Sequence, residues 1–89
     1  INNYFEIAPP LLSEIDAAID TADANNLFQA AHALRSSSAN LGAMKLSGIC
    51  QELESIGRSG TTVGAQSLRS QVKSMYQLVK DALLKECKD

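Results

Sequence analysis

The chain has 89 residues, of which 45% are hydrophobic and only 4% aromatic, and its formal net charge is −2. This length suits one small domain rather than two, and a core of Leu, Ile, Val and Ala favours packed helices over a sheet. Mixed charges without a basic block argue against a nucleic-acid partner and against direct membrane contact, and no apolar run approaches the ~20 residues that span a bilayer.

The first predicted helix covers about residues 3–22. Pro9-Pro10 interrupt it, and they predict a fresh start or a kink, because proline is best tolerated in the first turn of a helix. After the prolines, five apolar residues follow the three- and four-residue spacing of one helix face: Leu11, Ile15, Ala18, Ile19 and Ala22.

The second predicted helix runs from about Ala24 to Leu41. Asp23, Asn25 and Asn26 are candidates for its N-cap, and Gly42 can close it in a left-handed conformation. Taking Leu34 as the inward direction, three further residues face the core: Leu27, Ser38 and Leu41.

The only histidine of the chain falls on the opposite side of this helix. His32 and Ser36 lie about 160° from the inward direction and Ala39 about 140°, with Arg35 at the flank. Phe28, one turn before the histidine, also points largely outward. Two interpretations of Phe28 remain equal: a docking surface for another protein, or packing against the first helix.

The third predicted helix covers about residues 43–59, and the stretch 57–64 (GRSGTTVG) is the plausible flexible loop. Thr61 or Thr62 is then expected to cap a final helix that reaches towards Lys88. The inward residues are Leu46, Ile49, Cys50, Leu53 and Ile56 in the third helix and Leu68, Val72, Met75, Val79 and Leu83 in the fourth. The sequence therefore predicts an all-α fold, an antiparallel up-down-up-down four-helix bundle over residues 1–89 as a single domain.

The two cysteines, Cys50 and Cys87, do not form a recognisable disulfide framework. With a single histidine in the chain, they also argue against a Cys/His zinc site. Each is better interpreted as a small buried or half-buried apolar residue.

A polar flank of the third helix carries Ser47, Gln51, Glu54 and Arg58. Glu54 and Arg58 are spaced i, i+4, which is typical of a modest surface ion pair. If this flank abuts the second helix, Glu54 could instead reach the imidazole of His32. A carboxylate that binds one ring nitrogen fixes the tautomer and leaves the other nitrogen free as a nucleophile.

The stretch HALRSSSANLG (32–42) resembles the signature of histidine-containing phosphotransfer (HPt) domains. That signature has a histidine, a hydrophobic residue, a basic residue at the position of Arg35, small residues, and a glycine at the position of Gly42. Many members have Lys where Arg35 stands and Gly where Ser36 stands. Well-known members carry a Glu or Gln where Glu54 falls, and some carry a basic residue at the position of Arg58.

The resemblance implies a phosphorelay intermediate. His32 would accept a phosphoryl group from the aspartyl phosphate of a response-regulator receiver domain and pass it to a receiver aspartate. Glu54 would orient the imidazole and Arg35 would offset the phosphate charge. Five residues would contact the receiver: Phe28, Ser36, Ala39, Gly42 and Arg58.

The resemblance also implies a phosphocarrier without ATP-dependent activity of its own, and the chain lacks a glycine-rich phosphate loop. Mg²⁺ is expected from the receiver, with no metal or cofactor held by this domain. We expect a cytoplasmic monomer. Because the chain begins at Ile1 without methionine, it is expected to be part of a longer protein, such as a hybrid sensor kinase that is membrane-anchored elsewhere.

Two other functions stay open from the sequence. The first is a non-catalytic helical adaptor that binds a partner around Phe28 and would tolerate replacement of His32. The second is a domain of the chemotaxis-kinase type, which an ATP-bound kinase domain phosphorylates directly.

Overall fold

The computed structural model describes the backbone of residues 2–87 and the side chains of residues 4–85. Its regular structure is helical: α1 (Asn2–Asp20), α2 (Ala24–Asn40), α3 (Met44–Arg58) and α4 (Ala65–Cys87). Each helix packs against the next and α4 returns to α1, in a bundle of 44 × 19 × 19 Å. Short connections make consecutive helices antiparallel, which confirms the predicted four-helix bundle. None of the described helices combines the length and apolar character that crossing a bilayer requires.

Helix α1 runs unbroken through Pro9 and Pro10, so of the two predicted alternatives, a fresh start or a kink, the fresh start is wrong. Both prolines are exposed, whereas Tyr4 and Ala8 before them and Ile15 after them are buried. Packing of one continuous apolar face against the bundle supplies most of the stability of such a helix. This packing outweighs the backbone hydrogen bonds that proline cannot donate.

The turn between α1 and α2 is closed by a left-handed alanine. Ala22 has φ +55°, and the Asp23 N–H donates to the Ala18 carbonyl over 2.8 Å, a Schellman arrangement. Ala22 is therefore exposed and outside the helix, which corrects its assignment to the inward face. The Asp23 carboxylate accepts the Asn26 N–H over 3.1 Å, so Asp23 is the one of the three N-cap candidates that caps α2.

Helix α2 ends as its sequence indicates. Gly42 has φ +80°, and the Ala43 N–H donates to the Ser38 carbonyl over 2.9 Å. The left-handed conformation predicted for Gly42 is thus confirmed, and it turns the chain directly into α3.

The predicted cap of the last helix is wrong. Helix α4 begins at Ala65, so Gly64 directly precedes it, rather than Thr61 or Thr62. The Thr61 hydroxyl instead accepts the N–H of Val63, before the helix begins. Threonine readily forms such local turns with the backbone two residues on, and here the turn competes with capping.

Apart from Ala22, the predicted apolar residues lie in the core or pack against it, and the core also contains two tyrosines that the helix spacing missed. Tyr4 and Tyr76 lie with their ring centroids 5.9 Å apart, and the Tyr4 hydroxyl lies 3.2 Å from the Ser38 hydroxyl. Ser38 is fully buried, as predicted, and its hydroxyl has a partner in α1. Cys50 is buried as predicted, and this burial raises the pKa of its thiol to about 12; the side chain of Cys87 lies outside the described residues.

Candidate functional site

His32 projects from the middle of α2 towards solvent. Its side chain is 53% exposed, while Leu27 and Leu34 on the opposite face are fully buried. Ser36 and Ala39, on the turns that follow the histidine, are also exposed. The predicted division of α2 into an inward and an outward face is therefore confirmed.

Glu54 reaches His32 from α3. The histidine Nδ1 lies 3.2 Å from the glutamate Oε2. The Glu54 side chain is only 3% exposed, because α3 packs against α2 along this flank. The contact expected if the flank abuts α2 is present, and it comes from a buried carboxylate.

Two arginines also bind this carboxylate. Arg35 Nε donates to Glu54 Oε1 over 2.6 Å, and Arg58 Nη2 donates to Glu54 Oε2 over 3.0 Å. The predicted pair of Glu54 and Arg58 is present, but it is not a simple surface ion pair since its carboxylate is buried. A buried carboxylate needs such partners, because an unpaired charge in the interior is strongly unfavourable.

The charge state of Glu54 decides which tautomer His32 adopts. Burial by itself would raise the pKa of Glu54, but hydrogen bonds from Arg35 and His32 outweigh it, so this pKa lies below its ordinary range. An ionised carboxylate only accepts hydrogen bonds, so Nδ1 must carry the proton. Arg35 Nη2, 3.4 Å from Nδ1, therefore does not donate to this nitrogen. The lone pair of the neutral ring is left on Nε2.

Phe28 lies one helical turn before His32 and is half-buried. Its ring centroid is 6.1 Å from that of the imidazole, with 23° between the ring planes. The guanidinium carbon of Arg58 lies 5.7 Å from the Phe28 ring centroid. The aromatic ring of Phe28 thus contacts two of the predicted site residues directly.

Gly57 is a site-shaping residue that the sequence reasoning missed. A Cβ atom built on Gly57 would lie 2.7 Å from the Phe28 amide nitrogen and 2.8 Å from the Ala24 carbonyl oxygen. The two backbones can approach this closely only because position 57 has no side chain. A glycine inside a predicted helix, three residues after Glu54, was the available signal.

Two residues, one from the predicted polar flank and one from the predicted docking surface, lie away from the contact between His32 and Glu54. Gln51 is exposed and lines an open groove with Leu68 of α4. Gly42 is ten residues from His32, which corresponds to about 15 Å along a helix. The structure thus gives Gly42 a conformational role at the end of α2.

Among the described residues, no three His, Cys, Asp or Glu side chains are grouped as a metal site would need. The site is instead one exposed imidazole, one buried carboxylate and two arginines. This arrangement can present a nucleophilic nitrogen to solvent beside positive charge.

Comparisons with known proteins identify the family. Residues 1–82 match the model of the Hpt domain family, so the chain belongs to the Hpt domain family. The structure is similar to the crystal structure of histidine-containing phosphotransfer protein B (HptB) from Pseudomonas aeruginosa PAO1. The TM-score is 0.90 at 29% identity, over 96% of this chain and 74% of that chain.

A curated relative is Multistep phosphorelay regulator 1 of Schizosaccharomyces pombe. It is 30% identical over 69 residues, which are 78% of this chain, and the match spans only 23% of that relative. Taken with the family and the HptB structure, it shows a histidine phosphotransfer role in phosphorelay signalling for this domain.

Proposed function

We propose that His32 is the phosphoryl acceptor of this domain and that receiver domains of response regulators are its partners. The observation that carries the proposal is the contact between His32 Nδ1 and buried Glu54 at 3.2 Å, on a ring that is 53% exposed. It leaves Nε2 unprotonated and accessible. Membership of the Hpt domain family supports the same assignment.

In the proposed reaction, the Nε2 lone pair attacks the phosphorus of a receiver aspartyl phosphate. The N–P bond forms as the bond between phosphorus and the aspartate oxygen breaks, and the aspartate carboxylate keeps the bonding electrons. Nδ1 retains its proton, so the phosphorylated ring becomes positively charged, and Glu54 stabilises that charge. The reverse attack by an aspartate of the same or another receiver releases the group.

Arg35 is the proposed phosphate-facing cation. Its Nε is occupied by Glu54 over 2.6 Å, while its side chain stays 34% exposed. Since Nδ1 keeps its proton, the Nη2 hydrogens of Arg35 are available to a phosphoryl group on the neighbouring ring. Arginine suits this task because its planar guanidinium donates several hydrogen bonds at once.

The partner supplies the rest of the machinery in this proposal. Phosphoryl transfer between oxygen and nitrogen depends on positioning and charge stabilisation, and we assign the Mg²⁺ to the receiver. Ser36 and Ala39 are small and exposed. Their short side chains leave space beside His32 for the receiver pocket. Ser36 also offers a hydroxyl to the phosphate, and Gly42 extends this space to the end of α2.

The decisive experiment follows label from a phosphorylated receiver domain to this domain. Wild type should acquire acid-labile, alkali-stable phosphate, and His32→Gln should acquire none while keeping the wild-type melting temperature. If folded wild type stays unlabelled across several receivers, the proposed function fails. Labelling only by an ATP-bound kinase domain would instead support the chemotaxis-kinase type of domain.

We further propose that the domain is a cytoplasmic monomer that belongs to a parent hybrid sensor kinase. A receiver partner requires access to the cytoplasm, and one exposed histidine face is sufficient for a carrier that meets its partners singly. Light scattering of the purified domain measures its mass, and a dimer would contradict the monomeric state.

A further inference from the structure

We propose that Phe28 is a positioning residue. It holds the His32 imidazole in the orientation in which Nδ1 contacts Glu54 and Nε2 faces solvent. This inference rests on the proposed function of His32. It differs from a docking role for Phe28, because a positioning residue acts on the histidine even when no receiver is present.

The stack is favoured by the geometry of α2. Helical side chains lean towards the N-terminus of their helix, so the His32 ring lies over the preceding turn, where Phe28 stands. The centroid distance of 6.1 Å and the angle of 23° describe an offset stack of the two rings. On the following turn, Ser36 is too short to support the ring.

Phe28 is itself held in place by α3. The backbone of Gly57 lies against that of Phe28, and the Arg58 guanidinium lies over the Phe28 ring, 5.7 Å from its centroid. Arg58 also donates to Glu54 over 3.0 Å, and Glu54 contacts His32. These four side chains, Phe28, His32, Glu54 and Arg58, form a closed cycle that we call the imidazole frame.

The frame is needed because the imidazole is half exposed. A single hydrogen bond at Nδ1 leaves the ring free to swing or flip away, since one such bond has a modest net strength. Contact between two stacked rings adds a second restraint with a strength comparable to that of the hydrogen bond. Loss of the aromatic ring should therefore lower the fraction of reactive imidazole about threefold to tenfold.

The test uses phosphoramidate, a small donor that phosphorylates histidine without any receiver as ammonia leaves the phosphorus. Phe28→Leu keeps an apolar side chain but removes the ring, and Phe28→Tyr keeps the ring. The matched control is Phe5→Leu, which removes the other phenylalanine of the chain. The Phe5 ring is half-buried, and its centroid lies 6.3 Å from that of the Tyr4 ring.

We expect Phe28→Leu to slow phosphorylation by phosphoramidate about threefold to tenfold. Phe28→Tyr should restore the rate to within about twofold, and Phe5→Leu should react like wild type. Long-range ¹H–¹⁵N spectra give a second measurement. The fraction of His32 with its proton on Nδ1 should fall in Phe28→Leu and be kept in Phe28→Tyr.

Three results would overturn the inference. The first is a wild-type rate and tautomer in Phe28→Leu. The second is a Phe28→Leu variant that is labelled more slowly by a phosphorylated receiver but at the wild-type rate by phosphoramidate. That result would make Phe28 a docking residue only. The third is failure of Phe28→Tyr to restore the rate. Failure of the proposed function is a separate result, in which phosphoramidate labels wild type but no phosphorylated receiver does so.

Discussion

The backbone of Gly57 in α3 lies directly against the backbone of Phe28 in α2. A Cβ atom at position 57 would come within 2.7 Å of the Phe28 nitrogen, which is closer than real Cβ contacts allow. The approach of the two helices at this point sets how far Glu54 must reach to meet His32. The geometry of the site thus depends on a residue that has no side chain.

Gly57→Ala should separate α2 and α3 and lower the free energy of unfolding by about 1–3 kcal/mol, the usual effect of overpacking. The higher helix propensity of alanine, about 1 kcal/mol, is not sufficient to compensate at this position. Phosphorylation by phosphoramidate should slow in the same variant. Chemical denaturation and the labelling rate measure the two effects.

Gly48→Ala is the matched control, because Gly48 lies in the same helix and a Cβ there would meet no atom within 4 Å. It should raise stability by about 1 kcal/mol through helix propensity alone. Equal effects of the two substitutions would show that close approach at Gly57 is not required.

Ala22→Gly should stabilise the fold by about 1 kcal/mol. Ala22 has φ +55°, a left-handed conformation that costs a residue with a Cβ about 1–2 kcal/mol. Ala17→Gly is the control, since Ala17 is exposed inside α1, and it should destabilise by about 0.5–1 kcal/mol. Thermal melts of both variants measure the difference, and a loss of stability in Ala22→Gly would contradict the left-handed turn.

Stability should fall in acid partly because of Glu54. Burial would raise its pKa, but the hydrogen bonds from Arg35 and His32 hold it below the ordinary range. The native state therefore binds this proton less readily than the unfolded chain does. The contribution of Glu54 to the free energy of unfolding is complete above the ordinary Glu pKa of about 4.3. It is lost as pH falls through the lower pKa that Glu54 has in the native state.

Glu54→Gln should flatten this part of the pH dependence, because the amide does not titrate. Stability measured by urea denaturation between neutral pH and acid gives the comparison. The pKa of Asp16 is also lowered, because hydrogen bonds from Lys73 and Arg69 outweigh the effect of its burial. Asp16 therefore accounts for acid sensitivity that remains in Glu54→Gln. An unchanged slope in Glu54→Gln would contradict the shared-carboxylate geometry.

Helices α1 and α4 are joined by an ion-pair network around Arg69. Arg69 donates to Asp16 over 2.9 Å and to Asp20 over 2.6 Å, and Lys73 lies 2.6 Å from Asp16. Arg69→Gln should lower the melting temperature, and the loss should shrink as salt rises, because salt screens exposed charges. The exposed Lys45 of α3 gives the control variant Lys45→Gln, which should melt like wild type. A loss that does not depend on salt would assign Arg69 a packing role.

Much of the fold could be predicted from the sequence, because helix spacing reports burial directly. The inward positions of α2 and the capping residues Asp23 and Gly42 follow from local chemistry, and the structure has them. A fresh start at Pro9-Pro10, one of the two alternatives predicted there, is wrong because tertiary packing keeps α1 continuous. The cap predicted at Thr61 or Thr62 is wrong because the chain forms a local turn before α4 begins at Ala65.

The candidate site was predictable only in part. The outward direction of His32 and the polar flank of Glu54 predicted their contact only on the condition that α3 abuts α2, and the burial of Glu54 and its bond to Arg35 depend on how closely the two helices approach. That distance is a property of the packed pair, and Gly57 sets it. Sequence spacing within one helix cannot report it.

The lean of the His32 ring over the turn of Phe28 makes the surface around the histidine asymmetric. On the side towards the start of α2, the imidazole is flanked by the large side chain of Phe28, with the Arg58 guanidinium over the Phe28 ring. Towards its end, the exposed residues that follow His32 on this face have the short side chains of Ser36 and Ala39. The flanking side chains are therefore large on the side of Phe28 and short on the side of Ser36 and Ala39, and this difference follows the direction of the helix.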